Sequence, residues 1–181
     1  MTPTLFQNVL GTSFYSLPPV VRNLHAVRGQ ATYVGRATIV RGESAFSRMC
    51  ARIAHLPPAG EDVVTRVVFV TDEAGESWQR DFAGYPMHSR LRARDKLLEE
   101  RLGPLQFHFA LHVYDDALHW RVQRVRLLGV LPLPSTWFAG VHCREREHKG
   151  RYEFQVEAAL PLIGQLVLYQ GWLEPVEPAA P

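Results

Sequence analysis

Glu145 is the first residue whose type and placement together could do chemistry. Lys149-Gly150 reads as a two-residue hairpin turn, and counting back from it pairs Cys143 with Val156, Glu145 with Phe154 and Glu147 with Tyr152. Val141 and Ala158 share that phase, so it faces inward and carries the Glu145 carboxylate toward the core. An unpaired buried carboxylate costs several kcal/mol or shifts its pKa until it is neutral, so Glu145 needs a partner. The alternation Trp78, Arg80, Phe82 puts an arginine in phase with two large aromatics, and Arg80 is the expected counter-charge. Such a pair serves either as a structural ion pair in the wall or as the contact that orients a polar ligand head in an apolar cavity. Counting on through the Pro161 to Gly164 turn sets Tyr169 beside Val156 and Gly171 opposite Phe154, where the absent side chain would leave room over the ring. The expected ligand-binding set is Arg80, Glu145, Tyr169, Phe154, Gly171 and Trp78.

The remaining candidates point to blander roles. If Asp115 and Asp116 form a two-residue turn, Leu111 pairs with Trp120, Phe109 with Val122 and His112 with His119. That histidine pair lies on the face opposite the core and lacks a third ligand, so it reads as solvated surface and no metal is expected. Glu99 and Glu100 read as surface residues. Cys50 and Cys143 sit in no CxxC or Cys/His spacing, and GxSxG, HExxH and P-loop motifs are all missing. Haem on a single axial histidine is a minor alternative, carried only by His25, His55 and His88, which strand phase does not place. No cofactor is expected.

These residues need a sheet to position them, and the patterning supplies one. Leu5, Phe6, Val9, Leu10 and Phe14 mark a first helix, with Thr2 as its cap and Pro18-Pro19 as its stop. Residues 30–41 read as a strand. Ser44 caps a second helix whose stripe of Phe46, Met49, Cys50, Ile53 and Leu56 faces the core until Pro57-Pro58 ends it. From Asp62 the period is two, and strands are expected over 62–71, 76–83, 87–94, 105–114, 118–127, 141–148, 151–160 and 165–174. An antiparallel meander of that length curls or closes, because twist accumulates and open edges invite aggregation. The expected fold is mainly β (α+β): an antiparallel meander forming a barrel or strongly curved sheet, covered by two short N-terminal helices. The apolar segment Leu127 to Val141 reads as a cover on one barrel end or as a lid or mouth for an apolar ligand.

Composition frames these elements. The chain has 181 residues, 46% hydrophobic and 21% charged, which suits a single globular β-rich domain over 1–174 with a disordered proline-rich tail over 175–181. A formal charge of +2 is too weak a field for a dedicated nucleic-acid binder, and no run approaches the roughly 18 apolar residues of a spanning helix. Two isolated cysteines and an N-terminus without a basic leader make the cytoplasm the expected location.

Leu56-Pro-Pro-Ala-Gly-Glu-Asp, Trp78-Gln-Arg-Asp-Phe, Arg94-Asp-Lys-Leu-Leu-Glu-Glu-Arg-Leu-Gly-Pro-Leu, Arg126-Leu-Leu-Gly-Val-Leu-Pro-Leu-Pro and Tyr169-Gln-Gly-Trp-Leu carry a resemblance spanning nearly the whole chain. The chain resembles the bacterial domain of unknown function 4166. The resemblance implies a stand-alone version of a domain that also follows dehydrogenase-type nucleotide-binding domains; it implies no activity. The leading expectation is a module that binds an apolar or amphipathic small molecule. An accessory domain docking on an oxidoreductase partner through Leu127 to Val141 is the alternative, and an enzyme using Glu145 as general acid or base is the third.

Overall fold

The structure is a computed structural model that describes residues 2–176. Its first turns show how the sequence closes one end of the molecule. Thr4 caps α1 (Leu5–Leu10) by accepting from the Gln7 amide, while the Gln7 side chain accepts from the Thr4 amide. A 3-10 segment, Gly11–Ser16, follows, and Pro19 opens α2 (Pro19–Leu24) at its first turn, where a missing N–H costs nothing. The expected single helix capped by Thr2 is thus two helices capped at Thr4, with the prolines starting the second. Phe6, Phe14, Val21 and Leu24 are fully or almost fully buried, so this segment is a plug.

The strands are β1 (Gln30–Arg41), β2 (Gly60–Asp72), β3 (Gly75–Phe82), β4 (Tyr85–Arg94), β5 (Leu97–Leu102), β6 (Leu105–Tyr114), β7 (Ala117–Leu127), β8 (Leu131–Leu133), β9 (Gly140–His148), β10 (Arg151–Leu160) and β11 (Gly164–Pro175). α3 (Ala45–Ile53) lies between β1 and β2, and a 3-10 turn, Ser135–Phe138, precedes β9. All pairings are antiparallel. β1 through β7 pair in sequence, β7 pairs β9, β9 through β11 continue, and β11 returns to β1. The result is a closed ten-stranded barrel, with β8 added outside on β7. Closure leaves no long edge exposed.

The turns that set the registers have the backbone the sequence implied. Asp115 and Asp116 both have φ of 51°, and Lys149 and Gly150 have 52° and 76°, as a two-residue hairpin connection requires. Leu111 accordingly pairs with Trp120, His112 with His119, and Glu145 with Phe154. β5 was missed by the strand reading. Asp95 and Lys96 take left-handed φ values of 51° and 62°, and the hairpin they form pairs Leu91 with Glu100. Of the expected tail over 175–181, Pro175 is the last residue of β11, and residues 177–181 lie outside the described residues.

α3 turns most of the expected stripe outward, although Leu56, just past its end, is buried as expected. Ser44 does cap it, but Ser47, Ala51 and Ala54 face the barrel, whereas Phe46, Met49 and Ile53 are exposed and Cys50 is half-buried. The Ser47 hydroxyl donates to the Gln165 carbonyl at 2.7 Å, drawing the helix close on its small residues. No helix among the described residues is long and apolar enough to cross a membrane.

Candidate functional site

An eight-stranded barrel is just wide enough to be filled by side chains, so ten strands leave space. A cavity of about 300 Å³ occupies it, at the low end of the usual range for small-molecule sites. Phe69, Phe107, Phe109 and Trp120 wall it on one side, Phe82, Val156 and Tyr169 on another. The plug closes one end. At the other, Ile53 and Ala54 of α3, Pro104 of the β5–β6 turn and Phe138 line the opening.

Charged groups enter this apolar space from three strands. Arg80 on β3 donates to the Ser89 hydroxyl at 2.9 Å and to Glu100 of β5 at 3.3 Å, and its guanidinium lies 4.9 Å from the centre of the Trp78 ring. Both side chains of the ion pair are 11% exposed. Burial works against the Arg80 charge, but the Glu100 carboxylate and Tyr169 outweigh it and hold its pKa above the ordinary value. Glu145 on β9 is buried, and its Oε2 lies 2.5 Å from Nε2 of His25, which follows α2. Phe6 stacks on that imidazole with ring centres 3.7 Å apart. The plug therefore delivers the partner that Glu145 requires.

The surrounding hydroxyls and thiol are kept neutral. Burial pushes the Tyr152 hydroxyl and the Cys143 thiol well up, and the neighbouring Glu145 carboxylate adds to both shifts. Tyr169 is raised by burial despite Arg80. Deeper still, Glu76 accepts from the Trp78 indole at 2.9 Å; burial raises its carboxyl in spite of that hydrogen bond. Trp120 is 3% exposed and its indole N–H has no partner among the described residues, leaving a donor on the cavity wall.

Five of the six expected ligand-binding residues, Trp78, Arg80, Glu145, Phe154 and Tyr169, line one cavity. Gly171 does not. It does stand opposite Phe154, but a Cβ there would come 2.1 Å from the Arg36 carbonyl, so the glycine admits the β1 backbone rather than opening space over the ring. The expected Arg80–Glu145 pair is also replaced, by Arg80–Glu100 and His25–Glu145. Glu99 and Glu100, read as surface, are both buried. The Asp95-Lys96 turn was the signal that puts Glu100 in phase with Leu91; nothing in strand periodicity could have placed His25, which lies in the plug. His108 keeps its outward phase yet is 4% exposed, covered beside Glu99. His119 stacks on Tyr114 with ring centres 3.8 Å apart, an aromatic contact for the histidine expected to be solvated.

A family described as Domain of unknown function (DUF4166) matches residues 17–173. No curated protein matches the chain. Among solved structures, the crystal structure of Rv2717c from M. tuberculosis aligns with 12% identity and a TM-score of 0.48, covering 89% of this chain and 99% of that one.

Proposed function

We propose a function from two premises: the chain belongs to the DUF4166 family, and its closed barrel surrounds a lined cavity. The protein binds one apolar or amphipathic small molecule, its body against the aromatic wall and its polar end among Arg80, Glu145 and Tyr169. The observation that carries this reading is the cavity of about 300 Å³ in which an apolar wall meets charged side chains. The unpartnered Trp120 N–H adds that the ligand presents a hydrogen-bond acceptor.

Native and denaturing mass spectrometry of the purified protein, with organic extraction, tests it. The expected result is an added mass that denaturation releases. Ala158, on the cavity wall, offers the control: Ala158→Phe fills the space and abolishes retention while the far-UV spectrum is unchanged. A protein that carries no added mass and takes up no apolar fluorescent dye overturns the reading.

A further inference from the structure

The cavity opens at the end of the barrel where the chain leaves its apolar side chains uncovered. Phe46 is 65% exposed and Ile53 55% on α3, Leu162 is fully exposed in the β10–β11 turn, and Trp137 is 53% exposed before β9. Leu128 and Val130, between β7 and β8, are 71% and 80% exposed. Local contacts join these pieces into one rim. Ser44 at the start of α3 donates to the Ile163 carbonyl, Gly103 lies beside the chain leaving α3, where a Cβ on it would be 3.5 Å from the His55 ring, and the Leu128 amide donates to the Pro104 carbonyl at 2.7 Å. Isolated exposed apolar residues are ordinary, but a contiguous set around an opening marks an interaction surface.

Charge indicates what covers it. Residues 44–60, 101–107, 126–141 and 158–166, which build this end, contain no aspartate or glutamate. They carry Arg48, Arg52 and Arg101, all exposed, and Arg126, which is partly buried. Carboxylates return at the margin, with Glu43 before α3, Glu61 and Asp62 at the start of β2, Asp81 before the β3–β4 turn, the buried Glu100 on β5 and Glu157 on β10. The turns at the plugged end carry both signs, with Asp72, Glu73, Asp95, Asp115 and Asp116 beside Lys96 and Lys149. An apolar rim with aromatic tips, interleaved with arginines, suits the interface of an anionic bilayer, where rings settle at headgroup depth and guanidinium groups meet phosphates.

We propose that the open end of the barrel docks on an anionic lipid surface. The α3 stripe then has a physical reason to face outward, because the bilayer, not the barrel, buries Phe46, Met49 and Ile53. Docking sets the cavity mouth against a phase in which an apolar ligand dissolves. That last step rests on the ligand-binding reading; the docking does not.

Flotation with vesicles of phosphatidylcholine alone, and of phosphatidylcholine mixed with phosphatidylglycerol, tests the proposal. The wild-type protein is expected to float with the mixed vesicles only, and less as salt rises. The double variant Phe46→Ser/Trp137→Ser should lose at least about tenfold in vesicle partitioning, and Arg48→Gln about fivefold, the loss of one cation near an anionic surface. Tyr15→Ser, at an exposed position in the plug, should float like wild type. Failure to float with mixed vesicles overturns the proposal, as does equal flotation by the Phe46/Trp137 variant. A concentration-dependent dimer that Phe46→Ser abolishes overturns it too, because the rim would then cover a second copy. Ligand retention measured on the wild-type protein keeps the two readings apart: flotation without retention counts against the cavity, and retention without flotation against the rim.

Discussion

Replacing Glu145 by leucine removes the acceptor held by a fully buried histidine. His25 Nδ1 already has no partner among the described residues, and Nε2 is 2.5 Å from Glu145. The variant would therefore leave both ring nitrogens without a side-chain or backbone partner beneath Phe6. Breaking one side of a buried pair of this kind costs about 3–5 kcal/mol. For a chain of 181 residues, each kcal/mol lowers the midpoint by about 2–4 °C, so Tm should fall by roughly 6–20 °C. Glu145→Gln keeps an oxygen in reach of Nε2 and should lose less than half as much. The double variant His25→Leu/Glu145→Leu removes both polar groups and should recover most of the loss, because an apolar replacement of similar volume leaves nothing unsatisfied. Urea unfolding of the wild type, Glu145→Leu, His25→Leu and the double variant, followed by tryptophan fluorescence and far-UV circular dichroism, measures the cycle. Additive single and double effects, or a Glu145→Leu loss below about 0.5 kcal/mol, would refute the reasoning that this pair locks the plug into the barrel.

Two further outcomes follow from the same packing. Gly171→Ala places a Cβ 2.1 Å from the Arg36 carbonyl and must displace the β1 backbone, so it should destabilise by about 1–3 kcal/mol; a urea midpoint equal to wild type would contradict that close approach. Glu76 has a raised carboxyl pKa in the folded state, so between the ordinary carboxylate value and the raised one the folded protein binds more protons than the unfolded chain. Stability on its account is highest when the pH lies below both values and falls as pH rises through that window. Glu76→Gln should flatten this decline in unfolding free energy as pH rises above the ordinary carboxylate value, and parallel curves for the two proteins would disprove it.

The strand system was legible because local rules repeat along the chain. Alternation fixed the phase of β6, β9 and β10, and the Asp115-Asp116 and Lys149-Gly150 turns set registers that the barrel keeps. With the Trp78, Arg80, Phe82 alternation and the count through the Pro161 to Gly164 turn, those registers sufficed to turn Trp78, Arg80, Phe154 and Tyr169 toward one interior. What they could not reveal was which charges meet there. Arg80 selects Glu100 because β3, β4 and β5 are consecutive neighbours and Ser89 of β4 stands between them. Glu145 selects His25 because the plug enters from the other side of the sequence, 120 residues away.

The sequence by itself determined an antiparallel β protein with an inward carboxylate, an inward arginine and an apolar segment before β9, since period and turn chemistry are properties of neighbouring residues. Only the tertiary structure decided the closure of ten strands, the cavity that closure leaves, the partners in the buried Arg80–Glu100 and His25–Glu145 pairs and the outward face of α3. Each depends on elements distant in the chain approaching within a few ångströms. Helical periodicity announces that one face is apolar; it carries no information about whether that face meets a core or the outside.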